Sequence, residues 1–311
     1  MNKKTYDIAG KKKLWLIISA ALFVIIAILT VIKGTEIAIE FKGGTIVSYS
    51  YTGDINTSDI DKAMQEILNT PVTIQSGENI SGDTKNVTVS FSYDDGLSED
   101  TQNKMLEKLQ SMYPDGNVEQ LESNDVNPTS GREFFLKCVI AAIIAAALII
   151  GYIAWRFKKI SGWSAGICAI VALLHDLVIV FGSFILFGYE INANFIAVIL
   201  TILGYSVNNT IVVYDRIREN QKILKGASVA ELVNVSDSQT LTRSIRTSVT
   251  TVATMLIVSI VAYIYGVSSI LSFSVPLIFG MVSGTYSSIC IAPSLWVWWY
   301  EKRKNKKKSK K

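Results

Sequence analysis

Residues 195–214 read FIAVILTILGYSVNNTIVVY and run directly into the charged tract DRIREN at 215–220. Twenty residues without one charged side chain, interrupted only by Asn208, Asn209 and hydroxyl groups, are long enough to cross a bilayer as a helix. Asp215, Arg216, Arg218 and Glu219 then mark where that helix leaves the hydrocarbon. Thr201, Tyr205, Asn208 and Asp215 recur at helical spacing and make one polar stripe, widened by Asn209.

Five further apolar runs flank this one, at 14–32, 134–155, 163–187, 240–264 and 270–299. The first, of 19 residues, gives ~28 Å of helix. It follows Lys11 to Lys13 as a secretory signal would, but it exceeds an ordinary signal core and Lys33-Gly34-Thr35-Glu36 offers no small-residue cleavage site, so it is expected to stay as an anchor. Six spans place both termini on one side. With the N-terminus (1–13) cytoplasmic, 22 of the 30 basic residues lie cytoplasmic, in that segment, around Arg156 to Lys159, in the loop 215–239 with its helix ends, and in the tail 300–311. The short outer loops near Tyr189 to Asn194 and Tyr265 to Ser269 hold none, so the positive-inside rule predicts cytoplasmic termini.

Residues 33–133 form the one polar segment and carry 18 of the 26 acidic residues. Alternation marks strands at Thr45 to Tyr51, Val72 to Gln75, Val87 to Tyr93 and Asn117 to Leu121. Helical spacing marks Asn56 to Leu68, with Thr57 or Ser58 as cap, and Ser98 to Met112. The order βαββαβ predicts a ferredoxin-like domain, so the fold class is an α-helical membrane protein of six transmembrane helices plus one extracytoplasmic α+β domain. The domain has no His and no Cys, and the chain shows neither a nucleophile triad nor a phosphate loop. Cys138, Cys168 and Cys290 lie in apolar runs without metal-ligand spacing. Enzymatic activity, a bound metal and a cofactor are not expected; the basic tail reads first as a stop and orientation signal, with contact to membrane lipid or ribosomal RNA a secondary reading, and no nucleic-acid partner is expected.

Charged groups inside a bilayer cost roughly 2.5–3.5 kcal/mol each at mid-helix, so each one present calls for a reason. His175 and Asp176 stand deep in the third span, either as an ion relay or as interhelical hydrogen bonds. Adjacent in sequence, they point about 100° apart and are expected to have different partners. In the fifth span Arg243, Thr247, Thr250 and Thr254 form a second polar stripe, expected to face the first with Arg243 near Asn209 or Asp215. Gly280, Gly284 and Ser288 at four-residue intervals read as a close-packing face.

Gly204-Tyr205-Ser206-Val207-Asn208-Asn209-Thr210 with Asp215-Arg216-Ile217-Arg218-Glu219-Asn220 is similar to the SecF family signature G-Y-S-x-N-D-T followed by D-R-I-R-E-N. Glu40-Phe41-Lys42-Gly43-Gly44-Thr45 resembles its D-F-x-G-G-T, Leu174-His175-Asp176 its A-L-x-H-D, and Thr240-Leu241-Thr242-Arg243 its T-L-x-R. Val126-Asn127-Pro128 and Gly131 resemble V-G-P-x-x-G. The resemblance runs from Glu40 to about Pro293 and implies an RND-type subunit of the bacterial cytoplasmic membrane. It implies partnership with SecD, with the SecYEG channel and YidC/YajC, and with unfolded exported chains, driven by a proton or sodium gradient. In that family the N-D Asp and the T-L-x-R Arg are proposed to carry ion coupling. Arg243 is present, but Asn209 replaces the Asp and cannot titrate. Three explanations follow, in this order: SecD supplies the carboxylate, Asp176 does the work in this chain, or Asn209 helps hold sodium. Competing readings are a half-size RND exporter of a lipid or small molecule and an ion-uncoupled scaffold.

Overall fold

The computed structural model describes residues 5–78, 84–92, 97–157 and 162–308. Lys3, Lys4, Tyr93, Lys158, Lys159 and residues 309–311, which entered the strand and charge arguments, lie outside the described residues. Among the described residues six helices are long and apolar enough to cross a membrane, which makes this a multi-pass membrane protein. They are α1 (Lys12–Lys33), α5 (Pro128–Arg156), α6 (Gly162–Phe187), α7 (Ala193–Ile223), α8 (Val229–Ile264) and a last span built from α9 (Ser268–Tyr286), a π-turn (Ser287–Ile291) and α10 (Ala292–Lys308). The short α2 (Ile39–Lys42), α3 (Thr57–Leu68) and α4 (Glu99–Met112) lie between the first two spans. Packing is graded. In α6 and the last span half or more of the apolar stretch is buried, whereas α5 has none buried and α1 almost none. The stretch 215–239, expected as a loop, is helical except for a link at 224–228: α7 and α8 run on past the apolar core as a hairpin. Ser228 caps the returning arm by accepting from the Glu231 amide, 3.1 Å.

Strands β1 (Gly44–Thr52), β2 (Val72–Glu78), β3 (Thr84–Phe91) and β4 (Glu119–Val126) form one antiparallel sheet in the order β2-β3-β1-β4. With α3 and α4 this is the ferredoxin-like βαββαβ arrangement. Period-two alternation sends Val47, Tyr49 and Tyr51 inward from β1 onto Val87, Val89, Ile60, Met64 and Met105, all buried. β4 runs to Val126, five residues beyond the expected end, because pairing with β1 continues to Gly44. Asn56 caps α3, accepting from the Ser58 amide at 3.0 Å; neither Thr57 nor Ser58 takes that role.

Two glycine motifs close the junction between this domain and the membrane helices. Gly43 and Gly44 have φ of +84° and +140°, a region that L side chains avoid. A Cβ on Gly43 would stand 2.5 Å from Pro128 Cα, and one on Gly131 3.0 Å from the Phe41 carbonyl. Phe41 stacks on Phe134 at 5.6 Å and meets Phe135 edge-on. The residues flanking β1 and those opening α5 thus lock the second span to the domain that precedes it.

The domain also rests on the turns that join α6 to α7 and α8 to α9. Ser268 Oγ donates to the Ser76 carbonyl (3.0 Å), Gln75 Nε2 donates to Glu190 Oε2 (3.3 Å), and Ile37 bridges Ile191. Glu190 stands between α6 and α7, outside the spanning helices. Burial pushes its carboxyl above the usual range; Glu36 and Glu40 add to this, against a Thr73 hydrogen bond and Lys42. The docked form therefore holds the proton more tightly than the undocked one. Docking is strongest below the ordinary carboxylate value and weakens as pH rises through the raised one. Hydrogen exchange in β2, compared at about pH 5 and about pH 8, should show this weakening, and Glu190→Gln should remove it. An identical pH response in the variant would place the effect elsewhere.

Candidate functional site

Asp176 is fully buried on α6, near the middle of the helix. Three hydroxyls donate to it: Ser206 of α7 and Ser287 of the π-turn to Oδ2, each at 2.7 Å, and Ser283 of α9 to Oδ1 at 2.6 Å. His175 Nδ1 lies 3.3 Å from Asp176 Oδ1 and 3.3 Å from Ser283 Oγ. The two neighbours therefore share Ser283 and each other, in contrast to the separate partners expected from a 100° offset. Phe23 of α1 and Tyr286 of α9 pack against the imidazole at 5.3 and 5.7 Å, holding it toward α9. Its Nε2 is buried and has no partner among the described residues.

Sequence explains how three helices reach one carboxylate. Ser283 and Ser287 are four apart and share a helical face, and the π-turn begins at Ser287. Gly280 and Gly284 bring α9 close enough. A Cβ on Gly280 would stand 2.6 Å from Ile202 and 2.8 Å from Val180, and one on Gly284 3.1 Å from Ser206 Cβ. The small residues of the last span are a packing face, and the serines beside them meet the carboxylate. Gly280→Ala should cost about 1–3 kcal/mol through overpacking and draw α9 off Asp176; a lowered melting temperature of the solubilised chain checks it.

The polar cluster continues below the carboxylate. Thr210 and Ser288 both donate to the Ser206 carbonyl, at 3.0 Å each, and Thr210 Oγ1 donates to Ser288 Oγ at 3.0 Å. A second group joins Tyr205 OH to Ser248 of α8 (2.8 Å), with Thr285 at 2.6 Å from Ser248. Thus Ser244 and Ser248 occupy the buried face of α8, while Arg243, Thr247, Thr250 and Thr254 turn outward. Asn208 is exposed as well, and Asn209 is buried with its Nδ2 unpartnered among the described residues. The two polar stripes therefore do not meet within this chain, and Arg243 forms no bond to Asn209 or Asp215 among the described residues. The stripe reading took every polar residue at helical spacing for one face, whereas Ser244 and Ser248, offset by one residue, hold the contact.

The DRIREN tract has structural work. Asp215 pairs with Arg218 (2.9 Å) and with Arg156 at the end of α5 (3.2 Å), and both guanidiniums lie about 6 Å from the Phe157 ring centre. Arg216 bonds Glu219 (2.7 Å) and Gln239 (2.6 Å), and Asn220 bonds Ser236 and Gln239 at 2.9 Å. These contacts fix the α7–α8 hairpin. Within the same region Asp237 is buried with neither carboxylate oxygen partnered among the described residues. Sequence reasoning missed it by treating 215–239 as a loop, and missed Ser206, Ser283 and Ser287 because single serines in apolar helices carry no pattern.

Six spans, one βαββαβ domain after the first of them and a serine-caged carboxylate in the third describe a polytopic membrane protein. Residues 104–302 match the family model described as protein export membrane protein SecD/SecF, C-terminal. The chain is 37% identical over 298 residues to protein translocase subunit SecF of Thermobaculum terrenum, covering 90% of this chain and 92% of that protein. It is 35% identical to SecF of Alicyclobacillus acidocaldarius, over 96% and 94%. Bacillus subtilis SecDF matches 94% of this chain at 33% identity, through 38% of its own length. A crystal structure of SecDF, a translocon-associated membrane protein from Thermus thermophilus, superposes with a TM-score of 0.78 at 31% identity, covering 96% of this chain and 39% of that one. The chain thus spans about two fifths of the solved SecDF chain. It belongs to the SecD/SecF family.

Proposed function

We propose that this chain is a subunit that assists protein translocation across the bacterial cytoplasmic membrane, working beside a SecD-type subunit. The likeness to SecF proteins over nearly their whole length carries this reading. Relatives in which one chain is named SecDF support the partnership, because a fusion implies that the two halves work together. The outward polar face of α7 and α8, with Asn208 and Arg243 exposed, is where such a partner would pack. The basic residues at the ends of α1 and α10 support cytoplasmic termini.

Coupling to an ion gradient is assigned to Asp176. The family position for a titratable carboxylate is Asn209, and Asp176 is the carboxyl surrounded by hydroxyls that can donate or accept as its charge changes. The chain itself is proposed to have no enzymatic activity. Depleting it and following a secreted protein by pulse-chase tests the assignment: export should stall late and recover with the wild-type chain. Unchanged export after depletion would overturn the Sec reading in favour of a small-molecule exporter.

A further inference from the structure

At the end of the bundle that holds both termini, a groove of about 510 Å³ lies between α6 and α10. Its walls are Trp163, Ile167, Trp298 and Trp299, and its outer end is Lys302 and Arg303. Trp296 donates from Nε1 to Ser164 Oγ at 3.2 Å and so fixes the wall between the two helices. Lys302 Nζ sits 4.8 Å from the centre of the Trp298 ring, which brings the ammonium over the mouth of the groove. Among the described residues neither Lys302 nor Arg303 has a carboxylate partner.

Trp298 also borders a second groove of about 270 Å³, lined by Trp15, Leu16, Leu295 and Cys290 and ended by Lys12 and Lys13. Glu301 lies 3.4 Å from Lys12 and offsets part of its charge. One indole therefore divides two apolar grooves, each closed by a basic pair at the level where the apolar sequence of α1, α6 and α10 gives way to charge. Indoles prefer that interfacial depth, and cations there meet lipid phosphate.

We propose that the α6–α10 groove binds an anionic glycerophospholipid. The phosphate is held between Lys302 and Arg303, and an acyl chain lies along Trp163, Ile167 and Trp298. Charge complementarity selects the headgroup, and the apolar walls require attached chains, which a free phosphate lacks. The adjoining groove gives a second chain its place on the far side of Trp298.

The full chain, purified in neutral detergent, is offered equal phosphatidylglycerol and phosphatidylcholine of the same chain length, and retained lipid is measured by mass spectrometry. Each interfacial cation strengthens attraction to an anionic surface by about fivefold, so with Lys302 and Arg303 together wild type should favour phosphatidylglycerol by roughly 25-fold. Lys302→Gln with Arg303→Gln should bring the ratio near parity, while Lys306→Gln with Lys307→Gln leaves it nearly unchanged. All four are charge-to-amide changes, and an unshifted melting temperature confirms that the fold is kept. Equal retention of both lipids by wild type overturns the proposal. So does a tail variant that loses as much as the groove variant, which would mean diffuse attraction, or displacement of the lipid by inorganic phosphate.

Discussion

Asp176→Asn is expected to leave a folded, membrane-inserted chain that has lost most of its stimulation of export, because an intramembrane ionisable group is retained for function. The substitution keeps shape and hydrogen-bonding capacity. Its amide oxygen accepts from two of the three serine hydroxyls, and the third hydroxyl rotates to accept from the amide NH₂. What disappears is the ability to gain and lose a proton or to offer a charge to a cation. Asp176→Ala is a different experiment: it leaves three buried hydroxyls without their acceptor and opens a void, at a cost of about 3–5 kcal/mol. Pulse-chase rescue by the two variants, with melting of each purified chain, separates coupling from folding. Full export with Asp176→Asn would remove Asp176 from the coupling step and leave a carboxylate of the SecD-type subunit, sodium at Asn209 or an uncoupled scaffold. If the Asn variant fails, replacing sodium in the medium tells whether the working ion is sodium or a proton.

The six spans and the βαββαβ domain were legible because each rests on a long-range repeat of one property: runs of about 20 apolar residues, or alternation at period two. Boundaries were less so. The α7–α8 hairpin was taken for a loop because its residues are polar, but a helix can leave the membrane without ending, and Ser228 and the Asn220–Ser236 bond sustain it outside. Asp176 was visible as a charge in an apolar run. Its cage was not, since Ser206 and Ser287 lie 81 positions apart and only the packing of Gly280 and Gly284 brings their helices together. The glycine motifs at Gly43 and Gly131 were recognised as patterns before their reason was known; that reason is the close approach of two backbones at the domain junction.

The same distinction between pattern and partner governs Arg243. Within the chain its stripe faces outward, beside exposed Thr247, Thr250 and Thr254, half-buried Thr251 and the exposed Asn208 of α7. The threonine hydroxyls partly satisfy themselves: Thr250, Thr251 and Thr254 bond carbonyls three or four residues back, at 2.8 to 3.1 Å. Among the described residues neither Asn208 nor Arg243 makes such a bond. Polar contacts between membrane helices contribute about 0.6–2 kcal/mol each, and leaving an Arg against hydrocarbon costs about 2.5–3.5 kcal/mol on insertion scales. Covering both groups with a partner helix of matching polarity is therefore favourable, and replacing them removes that gain. Asn208→Leu with Arg243→Ala is expected to weaken association with the SecD-type subunit by about tenfold to a hundredfold, read by energy transfer between labelled subunits in vesicles. The melting temperature of the chain alone should hold or rise, because neither side chain is buried within it. Unchanged association would mean that this face meets lipid, and the partner would then have to dock on another helix, with α5 and α1 the most exposed candidates.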